Sequence, residues 1–180
     1  MLNLHILAIE TGNEAHAIRA AAEHWEYKVS ITWVGHPDQV VEFLHSSPPN
    51  KIIILSAHGD ENGIYLPNLA EDITTTYPYR NQLKPEDFHN FLRLNDNEVL
   101  NLSCKGGTPA LAQAFLDHGA NCYIGATDYP DGNAALMYSL EYLYNRASGL
   151  TPQYAHQLSI KHDDDRNQFY FYNKEIDSGN

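Results

Sequence analysis

Hydrophobic positions along this chain come in two textures. Short runs rich in β-branched and aromatic residues alternate with longer stretches in which apolar residues recur at helical spacing. Residues 2–9 and 27–34 read as strands, the second with Val29, Ile31 and Trp33 at period two. The alanine-rich stretch 13–26 between them reads as a helix. Residues 37–45 read as a shorter one, ended by Ser46-Ser47-Pro48-Pro49. Residues 51–56 carry Ile52-Ile53-Ile54-Leu55 without polar alternation, the pattern of a central parallel strand buried on both faces.

An irregular stretch, 59–82, precedes a helix expected over 84–94 and a fourth strand over 98–102. Thr108 is a suitable helix cap with Pro109 at the first helical position, and Gly119 closes that helix. A fifth strand over 121–125 follows, then helices over 133–146 and 152–160. The aromatic run Phe169-Tyr170-Phe171-Tyr172 within 168–172 reads as an edge strand. Strands alternating with helices imply a mostly parallel sheet covered on both faces. The expectation is a three-layer α/β/α sandwich in strand order 2-1-3-4-5, with a sixth strand at the edge. It forms one domain over residues 1–176 with a frayed tail at 177–180.

Composition narrows the function classes. With 11 Lys and Arg against 23 Asp and Glu, the net charge is −12, which argues against a nucleic-acid surface, since phosphate binding needs clustered cations. Residues 1–9 are apolar but short, lack a basic leader and run into Glu10, so neither a secretory signal nor a membrane span is expected. Two widely separated cysteines fit a reducing compartment better than a disulfide framework, and the cytoplasm is the expected location.

In open parallel sheets, sites lie outside the carboxyl ends of the strands. The strand ends here include Glu10-Thr11-Gly12, Ala57-His58-Gly59-Asp60, Ser103-Cys104-Lys105-Gly106-Gly107 and Ala126-Thr127-Asp128. His58 and Cys104 close successive strands, so an imidazole and a thiol would face one crevice, as nucleophilic cysteine catalysis requires. The N–H groups of Gly59 and Cys104 could form an oxyanion hole, worth about 3–4 kcal/mol per donor. The helix beginning near Thr108 would turn its positive end toward Cys104 and favour the thiolate.

Two segments carry a family likeness. Ile52-Ile53-Ile54-Leu55-Ser56-Ala57-His58-Gly59 and Val99-Leu100-Asn101-Leu102-Ser103-Cys104-Lys105-Gly106-Gly107 together resemble the caspase-like cysteine peptidases: caspases, metacaspases, gingipains, separases and CHAT-domain proteases. The helix ending in Gly119-Ala120 and the strand ending in Ile124-Gly125 resemble the CHAT and gingipain branches, although Thr127-Asp128 stands where a CHAT tryptophan is typical. The resemblance implies His58 as general base and acid and Cys104 as nucleophile in peptide-bond hydrolysis through an acyl-enzyme, with no metal or organic cofactor. The implied partners are a protein or peptide substrate, with a regulatory partner or a homodimer left open. It also implies a substrate pocket at strand ends flanking the dyad. Those positions are Glu10 and Asp128, both acidic, which suits basic P1 residues. No Arg of the kind that caspases use for aspartate stands at a strand end.

Other residues compete for roles. Asp60 and Glu61 could orient the imidazole or be exposed loop charges, and Tyr65, Tyr77, Tyr79 and Arg80 could wall a substrate site or mark a processing loop. His16 and His24 are eight apart, not the spacing of a zinc helix. His156, His162 and Asp163 to Asp165 lack the spacing of a calcium loop. Two further readings stand beside the peptidase: a catalytically silent caspase-like scaffold that binds a partner protein, and a receiver- or flavodoxin-like module. The third strand ends in Ala-His-Gly, and one glycine follows the first strand, which fits neither a phosphoacceptor nor a phosphate loop. Cys104 and Cys122 fall at opposite ends of neighbouring strands, too far apart for a disulfide.

Overall fold

The computed structural model describes residues 1–174; the tail expected to fray, 177–180, lies outside the described residues. Strand β1 (Asn3–Ile9) leads through helix α1 (Gly12–His24) to β2 (Lys28–Val34), and α2 (Pro37–His45) leads to β3 (Ile52–Ser56). A small hairpin region, β4 (Gly59–Asp60), β5 (Gly63–Tyr65) and β6 (Gln82–Leu83), precedes a 3-10 turn at Pro85–Asp87 and the single-turn helix α3 (Phe88–Phe91). Then come β7 (Asn97–Asn101), α4 (Pro109–Asp117), β8 (Ala120–Ala126), α5 (Gly132–Ala147), α6 (Pro152–Ser159) and β9 (Phe169–Asn173).

The six-stranded sheet runs β2-β1-β3-β7-β8-β9, parallel throughout except for the antiparallel β8–β9 pair. This is the expected order with its sixth edge strand. All five residues of β3 are buried, because its side chains enter both halves of the core. Leu7, Ile53, Leu55 and Val99 pack on one side with Val41, Phe88 and Phe115 of α2, α3 and α4. Leu4, Ile6, Ile54 and Leu100 pack on the other with Ile18, Tyr138 and Ala155 of α1, α5 and α6. Two faces buried by two helical layers give a three-layer α/β/α sandwich.

The structure corrects two expectations about the middle of the chain. The stretch expected to be irregular contains the three-stranded sheet β4-β5-β6, whose strands of two or three residues are too short to show a period. The helix expected over 84–94 is reduced to a 3-10 turn and α3. Lys84 N–H donates to the Asp87 carboxylate at 2.8 Å, and Leu92 turns extended beside Phe91, both buried. The long link between β5 and β6 is tied down by Asp38, which accepts from Thr76 N–H, and by Arg80, which donates to the carbonyls of Ile73 and Ala70. Tyr77 and Tyr79 pack on the core there.

Buried histidines make stability depend on pH. His156 is 7% exposed, its ring bonded to the Tyr138 hydroxyl at 2.8 Å, and burial pushes its pKa down to about 4. The unfolded chain therefore binds this proton first as pH falls below about 6.5, so the stabilisation is present above that pH and is lost toward pH 4. From this group the loss reaches about 2 kcal/mol by pH 5. Urea unfolding at pH 7 and pH 5 measures it. His156→Phe should shrink the difference by that amount, leaving the part due to His5, whose pKa burial likewise pushes down to about 4, and an unchanged pH dependence in that variant would rule the assignment out.

Candidate active site

Register fixes which residues meet at the carboxyl rim of the sheet. Ala8 pairs with Ser56 across β1–β3, Leu55 with Asn101 across β3–β7, and Asn101 with Gly125 across β7–β8. Glu10, His58, Cys104 and Asp128 each follow the carboxyl end of a strand, β1, β3, β7 and β8, so the four form a row along the rim. Leu102 N–H still donates to Leu55 O at 3.0 Å, after which the chain turns back along β8, Lys105 N–H donating to Asp128 O at 3.0 Å. His58 and Cys104 thus follow adjacent strands. Gly59 closes the gap, since a Cβ on it would lie 3.1 Å from Cys104 O and 3.1 Å from the Ser103 Cβ.

The turn carrying Cys104 is braced from below. The Asn101 side-chain oxygen accepts from Ser103 N–H and Ser103 Oγ, and its amide donates to the Tyr123 hydroxyl. Tyr123 in turn donates to Gly106 O at 2.5 Å, and Tyr172 donates to Gly107 O at 2.7 Å. Gly107 N–H donates to Ala126 O at 2.8 Å. A side chain at Gly107 would meet Gly125 O at 2.1 Å, so only glycine lets the turn lie this close to β8. The braced turn holds Cys104 half-buried at the rim.

Two backbone N–H groups, those of Cys104 and Gly59, stand at this rim. Cys104 N–H enters no backbone hydrogen bond among the described residues. Tyr65 N–H donates to His58 O at 2.9 Å, which makes Gly59 and Ile64 a non-hydrogen-bonded pair in the β4–β5 hairpin and turns Gly59 N–H away from β5. Burial pushes the Cys104 thiol above its ordinary pKa, with its own backbone N–H pulling the other way. This shift runs against the thiolate that the start of α4 is expected to favour. Thr108 precedes α4 without a side-chain cap bond.

Sequence reasoning missed Glu14, in the first turn of α1. Its Oε1 accepts from Ser56 Oγ at 2.6 Å, and Thr11 Oγ1 donates to Ser56 O at 2.8 Å. Burial raises the Glu14 carboxyl pKa, against the Ser56 hydrogen bond and the charge of nearby His58. The available signal was an acidic residue at i+4 from a strand-end Glu10, which a strand-end survey passes over. Asp60 and Glu61, considered for that orienting role, are engaged elsewhere. Asp60 accepts from Tyr65, Asn62 and Gln82, and Glu61 accepts from the Tyr129 hydroxyl at 2.6 Å.

Glu10 and Asp128 do not form one pocket. They stand at the two ends of the row, three strand spacings or about 14 Å apart. Glu10, at φ 61, lies in a groove with Trp33 and Gly35. Asp128 pairs with Lys105 Nζ at 3.0 Å, and that ammonium holds its carboxyl below the usual range. A cavity of about 470 Å³ lined by Asn121, Cys122, Thr151, Phe171 and Lys174 lies at the far end of β8, remote from the row. Among the described residues no cluster of His, Cys, Asp and Glu could hold a metal ion: His16 stacks on Trp33, and His162 and Asp163 pair with Glu141 and Arg166. No helix among them is long and apolar enough to cross a membrane.

Both thiols are free. Cys122 pairs in register with Glu98 at the start of β7, whereas Cys104 follows the end of β7, at least about 10 Å further along the sheet. Cys122 is 2% exposed and burial raises its pKa strongly. Mild iodoacetamide treatment of the native protein should alkylate Cys104 first, as read by peptide mass; earlier modification of Cys122 would contradict this geometry.

The arrangement matches solved structures of the caspase-like fold. Gingipain R, an Arg-specific cysteine proteinase, matches with a TM-score of 0.57 at 10% identity, over 92% of this chain and 44% of that one. The separase of the Saccharomyces cerevisiae separase–securin complex matches with a TM-score of 0.59 at 11% identity, over 96% of this chain and 12% of that one. This chain thus spans less than half the length of either. No family model and no curated protein matches the sequence. At these identities the likeness shows the fold, and the likeness to CHAT-domain proteases is carried by the sequence motifs alone.

Proposed function

We propose that this chain is a cysteine endopeptidase whose caspase-like domain hydrolyses peptide bonds through an acyl-enzyme. The observation that supports it is that His58 and Cys104 follow the carboxyl ends of adjacent strands, with Gly59 packed against Cys104. His58 takes the thiol proton as sulfur attacks the scissile carbonyl carbon. The N–H groups of Gly59 and Cys104 receive the oxyanion. The C–N bond then breaks as His58 returns the proton to the departing amine, and water, deprotonated by His58, releases the acyl group. Glu14, held by Ser56, would keep the imidazole oriented. The cycle draws on no metal or organic cofactor. Asp128 is the rim carboxylate next to Cys104, so a preference for basic P1 residues would lie with it rather than with Glu10. A proteinaceous regulator and a cytoplasmic setting complete the reading, the former by analogy with a separase found in complex with securin.

A second reading, a silent scaffold that binds a partner peptide, keeps the same fold without the chemistry. A peptide library separates the two. Cleavage that is lost in Cys104→Ala supports the peptidase, and binding without cleavage supports the scaffold.

A further inference from the structure

Beside the candidate nucleophile, the seat for a substrate cation is already filled by the chain itself. Lys105 follows Cys104 directly and sits at φ 56, a conformation that a non-glycine residue adopts only when its surroundings impose it. Its N–H is tied to Asp128 O at 3.0 Å. Its ammonium lies 3.0 Å from Asp128 Oδ1 and 5.2 Å from the centre of the Tyr129 ring. Tyr129 is itself fixed by donating to Glu61 across the crevice. A carboxylate joined to an aromatic face is the combination that recognises an ammonium or guanidinium, and this one adjoins the thiol.

We propose that Lys105 is a specificity-determining residue, an internal cation that occupies the subsite for a basic substrate side chain and must leave before such a side chain docks on Asp128 and Tyr129. The inference rests on the peptidase reading of Cys104. Displacement is feasible because the pair is partly open to solvent, 27% at Lys105 and 63% at Asp128, and pairs open to solvent hold weakly. Arginine should displace it better than lysine, since a guanidinium binds carboxylate in bidentate fashion and stacks on a ring. The displaced ammonium remains within the field of Glu61, so the crevice does not lose its charge balance.

The test reads Cys104 itself with two small reagents on the native protein. Methyl methanethiosulfonate is neutral and 2-aminoethyl methanethiosulfonate is cationic. In each case the Cys104 sulfur attacks the reagent sulfur, a mixed disulfide forms and methanesulfinate leaves, and peptide mass assigns the product to Cys104. The ratio of cationic to neutral rate should rise at least fivefold in Lys105→Gln. It should change less than twofold in Asp128→Asn, where the seat is occupied, and the gain should vanish when both are replaced. An unchanged ratio in Lys105→Gln, or effects of the two substitutions that simply add, would overturn the proposal. In parallel, Lys105→Gln should raise kcat/KM for Arg-P1 over Leu-P1 peptides by a similar factor. A reactivity gain without any hydrolysis would keep the cation seat and reject the peptidase. Hydrolysis with neither ratio altered by Lys105→Gln would do the reverse.

Discussion

Cys104→Ala should abolish peptide hydrolysis, and His58→Ala should lower kcat by about 10²–10⁴-fold, the usual contribution of a positioned proton-transfer group. The size of the second effect follows from the resting state of the site. His58 is exposed, burial raises the Cys104 thiol, and His58 is not among the groups that shift it. Removing the imidazole removes both the acceptor of the thiol proton and the donor to the leaving amine. The double variant should be no worse than Cys104→Ala, because groups that act as one unit lose their effect together. Glu14→Gln should fall between, with a drop in kcat at nearly constant KM and a shifted pH–rate profile. Initial rates on the best library peptide supply all four values. Cleavage in Cys104→Ala above a hundredth of the starting rate would end the dyad assignment.

How far the site could be read in the sequence depended on what kind of signal each part leaves. The buried run Ile52 to Leu55 announces a central strand, because burial on both faces removes polar alternation, whereas the neighbouring Asn97–Asn101 keeps three polar residues and shows its place less plainly. Once two parallel strands are known to be neighbours, the residues just past their ends share a rim, and this brings His58 and Cys104 into view from spacing alone. The same reasoning fails for Glu10 and Asp128. It identifies the rim they occupy but not their lateral distance, which depends on β3 and β7 lying between β1 and β8. Glu14 is silent because its role arises from a side-chain contact with Ser56, 42 residues away. The hairpin β4–β5 is silent for another reason: its strands are shorter than any period. Yet it sets the direction of Gly59 N–H through the Tyr65–His58 bond, so the least legible element controls half of the proposed oxyanion hole.

Gly107→Ala should be among the most damaging methyl additions in the protein, costing about 3 kcal/mol of unfolding free energy. A Cβ there would stand 2.1 Å from Gly125 O and 2.5 Å from Gly125 C. Both are backbone atoms in β8, which pairs with β7 on one side and β9 on the other. Neither neighbour can yield by turning a side chain, so relief requires moving the turn away from the sheet. That movement would break Gly107 N–H to Ala126 O and Tyr172 to Gly107 O, leaving buried polar groups without partners. The same displacement carries Cys104 and Lys105 with it, since they lie in the same braced turn. Gly12→Ala is the matching control: no atom lies within 4 Å of its added Cβ and it begins α1, so it should be neutral or stabilise by up to about 1 kcal/mol. Urea unfolding of the two variants against the parent measures the contrast, and the iodoacetamide rate at Cys104 reports the turn. A Gly107→Ala protein that matched the parent in stability and in Cys104 reactivity would show that the turn does not lie against β8 as described, and the alignment of His58 with Cys104 would fall with it.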